Sequence, residues 1–119
     1  MIKGIGCDIV DISRIEKAMQ NTRFIDKVYT PYEQACIKNK SVHTAAGIWA
    51  AKEAVSKALG TGFAGFTVKD IEIRHDNNGE PFVILHNGAE TVSSNRCIKK
   101  IYISISHEDK YAMAFAIAE

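Results

Sequence analysis

The chain has 119 residues, enough for one domain and too few for two ordinary ones. Apolar residues make up 46% and charged residues 24%, a balance that excludes an intrinsically disordered chain. The formal net charge of +1 gives no overall field of the kind that marks a nucleic-acid or membrane-surface binder, so local clusters must carry any electrostatic argument.

Near the start, "IKGIGCDIV" is a short run rich in Ile and Val, read as a strand ending near Asp8. Its "GIG" is neither a dinucleotide-binding fingerprint nor a Walker loop. Asp8 sits among apolar neighbours. It is either a helix-capping carboxylate or a metal ligand held on a rigid strand.

"DISRIEKAMQ" then places Ile12, Ile15 and Met19 at helical spacing, with Asp11 or Ser13 able to cap the start. Arg14, Lys17, Arg23 and Lys27 form a local basic cluster, broken only by Glu16 and Asp26. "TPYEQACI" is a second helix start, with Thr30 as N-cap, Pro31 at the first helical position and Glu33 completing a capping box.

After the break at "KNKSVHT", a longer helix is expected from about Ala45 to Leu59, stopped by Gly60 and Gly62. On a helical projection Gly47, Ala50, Ala54 and Ala58 form a face of small residues suited to close packing on a sheet. The opposite arc holds Trp49, Lys52, Glu53, Ser56 and Lys57. Glu53 and Lys57, one turn apart, are either a solvent-exposed pair or part of a site. Trp49 beside them argues for a cleft wall or a subunit contact, because a large aromatic is out of place on an open polar face. The loop Thr61, Gly62 and Gly65 either approaches a ligand or only stops the helix.

The second half reads as strands. "VKDIEIRHDNNGEPFVIL" is a hairpin turning at "NNGEP", and "ETVSSNRC" is a short helix or a loop. "KKIYISISHEDKYAMAFAIAE" is an antiparallel hairpin, with Ile101, Ile103 and Ile105 on one face of its first strand. Tyr111, Met113, Phe115 and Ile117 share one face of its second strand. His107 follows "ISIS" beside the turn and is either structural or functional. Helices early and hairpins late indicate an α+β domain spanning residues 1–119.

Cys7, Cys36 and Cys97 form no CxxC pair and fit no zinc spacing, so reduced thiols in a cytoplasmic protein are expected. His43, His75 and His86 show no HxxH or HExxH spacing, which disfavours a zinc hydrolase. The N-terminal sequence lacks the pattern of a signal peptide. No apolar run approaches the roughly 20 residues needed to span a membrane.

Taken together, "GIGCDIVDISRI", "WAAKEAVSKALGTG", "DIEIRHDNNGEPFV" and "ISISHEDKYAMAFAIAE" resemble the bacterial holo-(acyl-carrier-protein) synthases, the small class of 4′-phosphopantetheinyl transferase. The resemblance covers essentially the whole chain, and "GIGxD" with "KExxxK" is its most specific part. It implies an antiparallel sheet packed with helices, assembled as a homotrimer with active sites between subunits. The implied reaction is transfer of 4′-phosphopantetheine from coenzyme A to a serine of apo acyl carrier protein, with adenosine 3′,5′-bisphosphate released.

By the same resemblance Asp8 and Glu53 hold Mg²⁺, Lys57 contacts phosphate, and His107 binds coenzyme A. Gly60, Thr61 and Gly62 are expected beside the coenzyme. Glu53, with Asp8 and Lys57, is the expected catalytic set. Arg14, Met19, Arg23, Phe24 and Lys27 are expected to meet the acidic carrier protein, and neither nucleic acid nor a membrane is expected as a partner. Many relatives carry an arginine where this chain has Ile48, and Lys40 or Lys52 is the expected substitute for it. The alternatives are a non-catalytic carrier-binding module that keeps the fold, or a metal-dependent coenzyme A phosphohydrolase.

Overall fold

The computed structural model describes residues 1–119. In chain order the elements are β1 (Gly4–Asp11), α1 (Ile12–Ala18), α2 (Thr22–Val28), α3 (Pro31–Lys38) and α4 (Val42–Ala58). A 3-10 turn at Val68–Asp70 leads into β2 (Ile71–His75) and β3 (Pro81–Leu85), then α5 (Asn87–Asn95), β4 (Ile101–His107) and β5 (Tyr111–Ala118). The strands form a three-stranded antiparallel sheet of order β1-β5-β4 and a separate β2-β3 hairpin, which makes the fold α+β. No helix is long and apolar enough to cross a membrane.

α4 lies across the inner face of the three-stranded sheet, and the sequence explains how closely. Every second residue of β5 is alanine, and Ala112, Ala114, Ala116 and Ala118 are all buried on that face. β1 presents Gly4 and Gly6 to the same helix. A Cβ on Gly6 would overlap the Ala54 carbonyl oxygen, and one on Gly4 would overlap that of Ala58. The "GIG" of β1 is therefore a backbone-to-backbone seam with α4. Larger residues, Ile48 and Val55 of α4 and Leu59 at its C-cap, fill the remaining core, each contributing roughly 1.5–3 kcal/mol by burial.

Several local expectations hold. Asp11 caps α1 through Ser13 N–H. Thr30, Pro31 and Glu33 form the capping box that opens α3. The two hairpins turn where expected, with Gly79 at φ +82 in the first.

Others are corrected. β1 continues to Asp11, so Asp8 lies inside the strand rather than at its end. Residues 22–28 form a separate helix, α2, capped by Asn21. α4 begins at Val42, three residues before the expected start. The undecided "ETVSSNRC" segment is helical as far as Asn95, in α5, which begins at Asn87 and is followed by Arg96 as its C-cap. Lys52 and Ser56 are not on an open polar arc: both are buried, because α3, β2 and the 3-10 turn cover that side of α4. Trp49 packs against Phe24 of α2, ring centroids 5.7 Å apart, so a contact within the chain accounts for its position.

The large residues of β5 point away from α4. Tyr111, Phe115 and Ile117 are exposed on the outer face, together with Ile5 and Ile9 of β1 and Tyr102 of β4. Phe115 is 52% exposed and Ile5 71%, so this outer face is a contiguous apolar surface, not scattered single residues.

Candidate active site

The glycine seam sets the site. With β1 and α4 in backbone contact, the next inward residue of β1 after Gly6 is Asp8, and the residue before Ala54 is Glu53. Asp8 is near enough for its charge to act on Glu53. Burial, then the negative charge of Asp8, hold the Glu53 carboxyl above the usual carboxylate range, against the opposing pull of Lys57.

Lys57, one turn further along α4, completes the group. Its Nζ lies 3.4 Å from Asp8 Oδ1 and donates to the Cys7 carbonyl at 2.8 Å. The Lys57 side chain is half exposed, and three donors on a flexible stem leave it able to meet an anion arriving from solvent.

Two carboxylates crowded beside one lysine form an oxygen-donor pair that suits Mg²⁺, which takes one or two carboxylates and fills its remaining positions with water and phosphate oxygens. Burial is the larger reason that Glu53 is raised and the charge of Asp8 the second, and a divalent cation held by the two residues would offset their mutual repulsion. No third histidine, cysteine, aspartate or glutamate joins them into a larger metal-binding group.

His107 is not brought to this cluster. Asp8 of β1 pairs with Ala114 and His107 of β4 pairs with Ala112, so the whole of β5 stands between them, about 10 Å across two strand spacings. The His107 ring instead lies 5.1 Å from that of His43, centroid to centroid.

Gly60, Thr61 and Gly62 follow the C-terminus of α4. Gly60 and Gly62 have positive φ, and the Arg96 guanidinium packs where a Gly60 side chain would stand. Arg96 donates to the carbonyls of Leu59 and Ala58 and to that of Lys3, so it caps α4 and ties it to the residues before β1. Thr61 is exposed, and its hydroxyl donates to the adjacent Gly62 carbonyl.

Arg14 and Lys17 on α1, with Arg23 and Lys27 on α2, are exposed, and none of the four is in a salt bridge. Met19 and Phe24 are half-buried. Met19 borders a shallow groove with Ile25 and Ile37, while Phe24 has its ring against Tyr29 and Trp49.

Ile48, 2% exposed, lines a cleft with His43, His75 and His107. Lys52 cannot supply a charge there, because it is buried against Glu33. Sequence reasoning missed this histidine cleft and the Glu33–Lys52 pair. The histidines are far apart in the chain, and Glu33 already had an explanation as a capping residue.

The model of the 4′-phosphopantetheinyl transferase superfamily matches residues 4–116. A holo-(acyl-carrier-protein) synthase from Alkaliphilus oremlandii is 50% identical over 121 residues, covering 99% of this chain and 99% of the relative. The crystal structure of the synthase of that name from Neisseria meningitidis superposes with a TM-score of 0.92 at 33% identity, covering 100% and 99% of the two chains. The Helicobacter pylori synthase in complex with coenzyme A superposes with a TM-score of 0.85 at 32% identity, covering 97% and 99%.

Proposed function

The chain belongs to the 4′-phosphopantetheinyl transferase superfamily, and from that premise we infer that it transfers 4′-phosphopantetheine from coenzyme A to a serine of apo acyl carrier protein. The observation that carries this reading is the convergence of Asp8, Glu53 and Lys57 on the β1–α4 seam. The coenzyme A held by the Helicobacter pylori relative supports the co-substrate. Residues 1–119 are taken as one transferase domain.

In the reaction the serine Oγ bonds to the phosphorus that carries pantetheine. The bond from that phosphorus to the oxygen of the second phosphate breaks, and adenosine 3′,5′-bisphosphate leaves. Glu53, directly or through a water molecule, is the group assigned to accept the serine proton. Lys57 turns from the Cys7 carbonyl to the phosphate oxygens and meets the charge that develops on the leaving group. Asp8 and Glu53 would hold Mg²⁺, which when bound offsets the charge of the pyrophosphate. Gly60, Thr61, Gly62 and His107 are assigned to coenzyme A.

Two surfaces are assigned to partners. Arg14, Arg23 and Lys27, with Met19 and Phe24 between them, offer unpaired positive charge around apolar contacts, which suits an acidic carrier protein. The apolar outer sheet face is assigned to self-association as a homotrimer. Such an assembly would also explain why His107 and the Asp8–Glu53 pair stand apart in one chain: each site would take the carboxylates of one copy and the histidine of the next.

The test is mass spectrometry of apo carrier protein incubated with the chain, coenzyme A and Mg²⁺. A gain of one phosphopantetheine on the carrier is expected, and Asp8→Ala or Glu53→Ala should abolish it. No gain with a folded chain points to a carrier-binding module. Adenosine bisphosphate released without carrier points to a phosphohydrolase. Either result overturns the reading.

A further inference from the structure

The loop from Gly60 to Phe66 leads from the C-terminus of α4 towards the 3-10 turn, and α5 braces it at both ends. At the near end Arg96, the C-cap residue of α5, reaches the last turn of α4. Its Nη1 donates to the Leu59 carbonyl at 2.5 Å and to the Ala58 carbonyl at 3.4 Å, and its Nη2 donates to the Lys3 carbonyl at 3.0 Å. No carboxylate forms a salt bridge with Arg96, so the partners of the guanidinium are backbone carbonyls. Gly60, at φ +86, has no side chain to displace it. At the far end, Gly88 in the first turn of α5 lies so close to the Gly65 carbonyl that a Cβ there would overlap it. Between these two holds the loop is open, and a Cβ on Gly62 would meet nothing within 4 Å. Its own backbone bonds are long, 3.2 Å from the Gly62 N–H to the Ser56 carbonyl and 3.4 Å from the Ala64 N–H to that of Thr61.

We propose that Arg96 is a positioning residue for coenzyme A, holding the loop that begins at Gly60 in the form that receives it. The inference rests on the transferase reading above, in which Gly60, Thr61 and Gly62 are assigned to the coenzyme. Two physical effects give the arginine this role. The free carbonyls at the C-terminus of a helix carry partial negative charge, the wrong end to present to an anion. The guanidinium covers two of those carbonyls on α4, and its charge offsets the repulsion. The second effect is geometric. A planar guanidinium with fixed donors ties α5 to the end of α4 and to the residues before β1, where a lysine would place only a point charge on a flexible stem. Asp8, Glu53 and Lys57 do not depend on this tie, because Gly4 and Gly6 hold β1 against α4 by backbone contact. Loss of Arg96 therefore frees the loop and leaves the reacting groups in place.

The test compares Arg96→Met and Arg96→Lys with the native chain, at a temperature where urea unfolding shows all three to be folded. Titration calorimetry with the full chain and Mg²⁺ gives the dissociation constant of coenzyme A. Transfer to the carrier, read by mass, gives kcat at saturating coenzyme and KM for the carrier. Arg96→Met should weaken coenzyme A binding about tenfold, the effect of one charge-assisted hydrogen bond. Its kcat and its KM for the carrier should stay within about twofold of native, since neither reads the position of the loop once coenzyme saturates it. Arg96→Lys keeps the charge without the fork and should recover part of the affinity. Amide hydrogen exchange at Gly60 and Gly62 should quicken in Arg96→Met and slow again when coenzyme A is added.

An unchanged dissociation constant in Arg96→Met overturns the proposal. So does an equal loss of coenzyme affinity, kcat and carrier KM, which is the pattern of general damage to the fold. The two readings fail separately. A native chain that transfers phosphopantetheine, with an Arg96→Met variant that binds coenzyme A normally, sinks the positioning role alone. A native chain that binds coenzyme A and transfers nothing sinks the transferase reading, and the calorimetric comparison still decides the role of Arg96.

Discussion

Glu33 and Lys52 form an ion pair at 2.8 Å in which neither side chain is exposed. Lys52 Nζ also donates to the carbonyls of Ile71 at 2.6 Å and Val68 at 3.4 Å, so three acceptors meet its three protons. Glu33 in turn accepts from the N–H groups of Thr30 and Ile73. Burial pushes the Lys52 ammonium below its ordinary value, and the Glu33 carboxylate pulls against that. The pair joins α3, α4 and β2 one residue away from Glu53. With Lys52 held on one side and the glycine seam on the other, α4 cannot rotate, and Glu53 stays beside Asp8.

Removing one partner should therefore be more damaging than removing both. Lys52→Met leaves Glu33 buried without its cation, a loss of about 3–5 kcal/mol. Adding Glu33→Gln should restore part of it. Urea unfolding of the two variants measures the difference; a double variant no more stable than Lys52→Met would mean the charges are not coupled.

Gly6→Ala places a methyl on the Ala54 carbonyl, and backbone on both sides must shift. The expected loss of stability is about 1–3 kcal/mol. The loss of kcat should be larger than unfolding explains, up to about 100-fold, because Asp8 and Glu53 are separated by the same movement. Kinetics at a temperature where the variant is fully folded separate the two effects, and a normal kcat there would refute the seam's role in positioning.

Acid should weaken the fold through Glu72. Burial opposes ionisation of this carboxyl, but bonds from Thr30, His86 and Arg74 outweigh burial and hold it below its ordinary value of 4.5. A depressed folded pKa means the unfolded chain binds the proton more readily. The contribution is complete above that ordinary value of 4.5, which the unfolded chain keeps, and is lost as pH falls through the lower folded value. Denaturant midpoints between about pH 6 and 3 should fall less steeply in Glu72→Gln than in the native chain. Equal slopes would remove Glu72 as the source.

Self-association should fail when the outer sheet face is charged. Phe115→Glu puts a carboxylate at the centre of that face without entering the core. Size-exclusion chromatography should show an assembly for the native chain and a folded monomer for the variant. A native chain that elutes as a monomer would contradict the assignment of this face.

Arg14→Glu should raise KM for the carrier protein about tenfold and leave KM for coenzyme A unchanged, since Arg14 is exposed on α1, an element that contributes none of Asp8, Glu53 or Lys57. Added salt should reduce the difference between native and variant chains, as it screens exposed charges. Equal losses for both substrates would contradict the division of labour.

Much of this was legible in the sequence, for a physical reason. Capping boxes, alternation and glycine stops are local signals, so the start of α3, both hairpins and most of α4 could be read directly. The spacing of "KExxxK" set Glu53 and Lys57 on one side of a helix, and "GIG" marked the strand that bears Asp8. Only the tertiary structure decided what lay beside each of them. Lys52 read as surface, and packing buried it, because nothing local reveals that α3 and β2 cover that side of α4. The face of β5 carrying Phe115 read as one apolar stripe, and the alanines opposite it proved to be the inward side, because α4 lies too close to admit anything larger. His43, His75 and His107 are separated by more than thirty residues at each step and meet only through folding. Periodicity records which residues share a face; which face is covered, and by what, depends on contacts between distant parts of the chain.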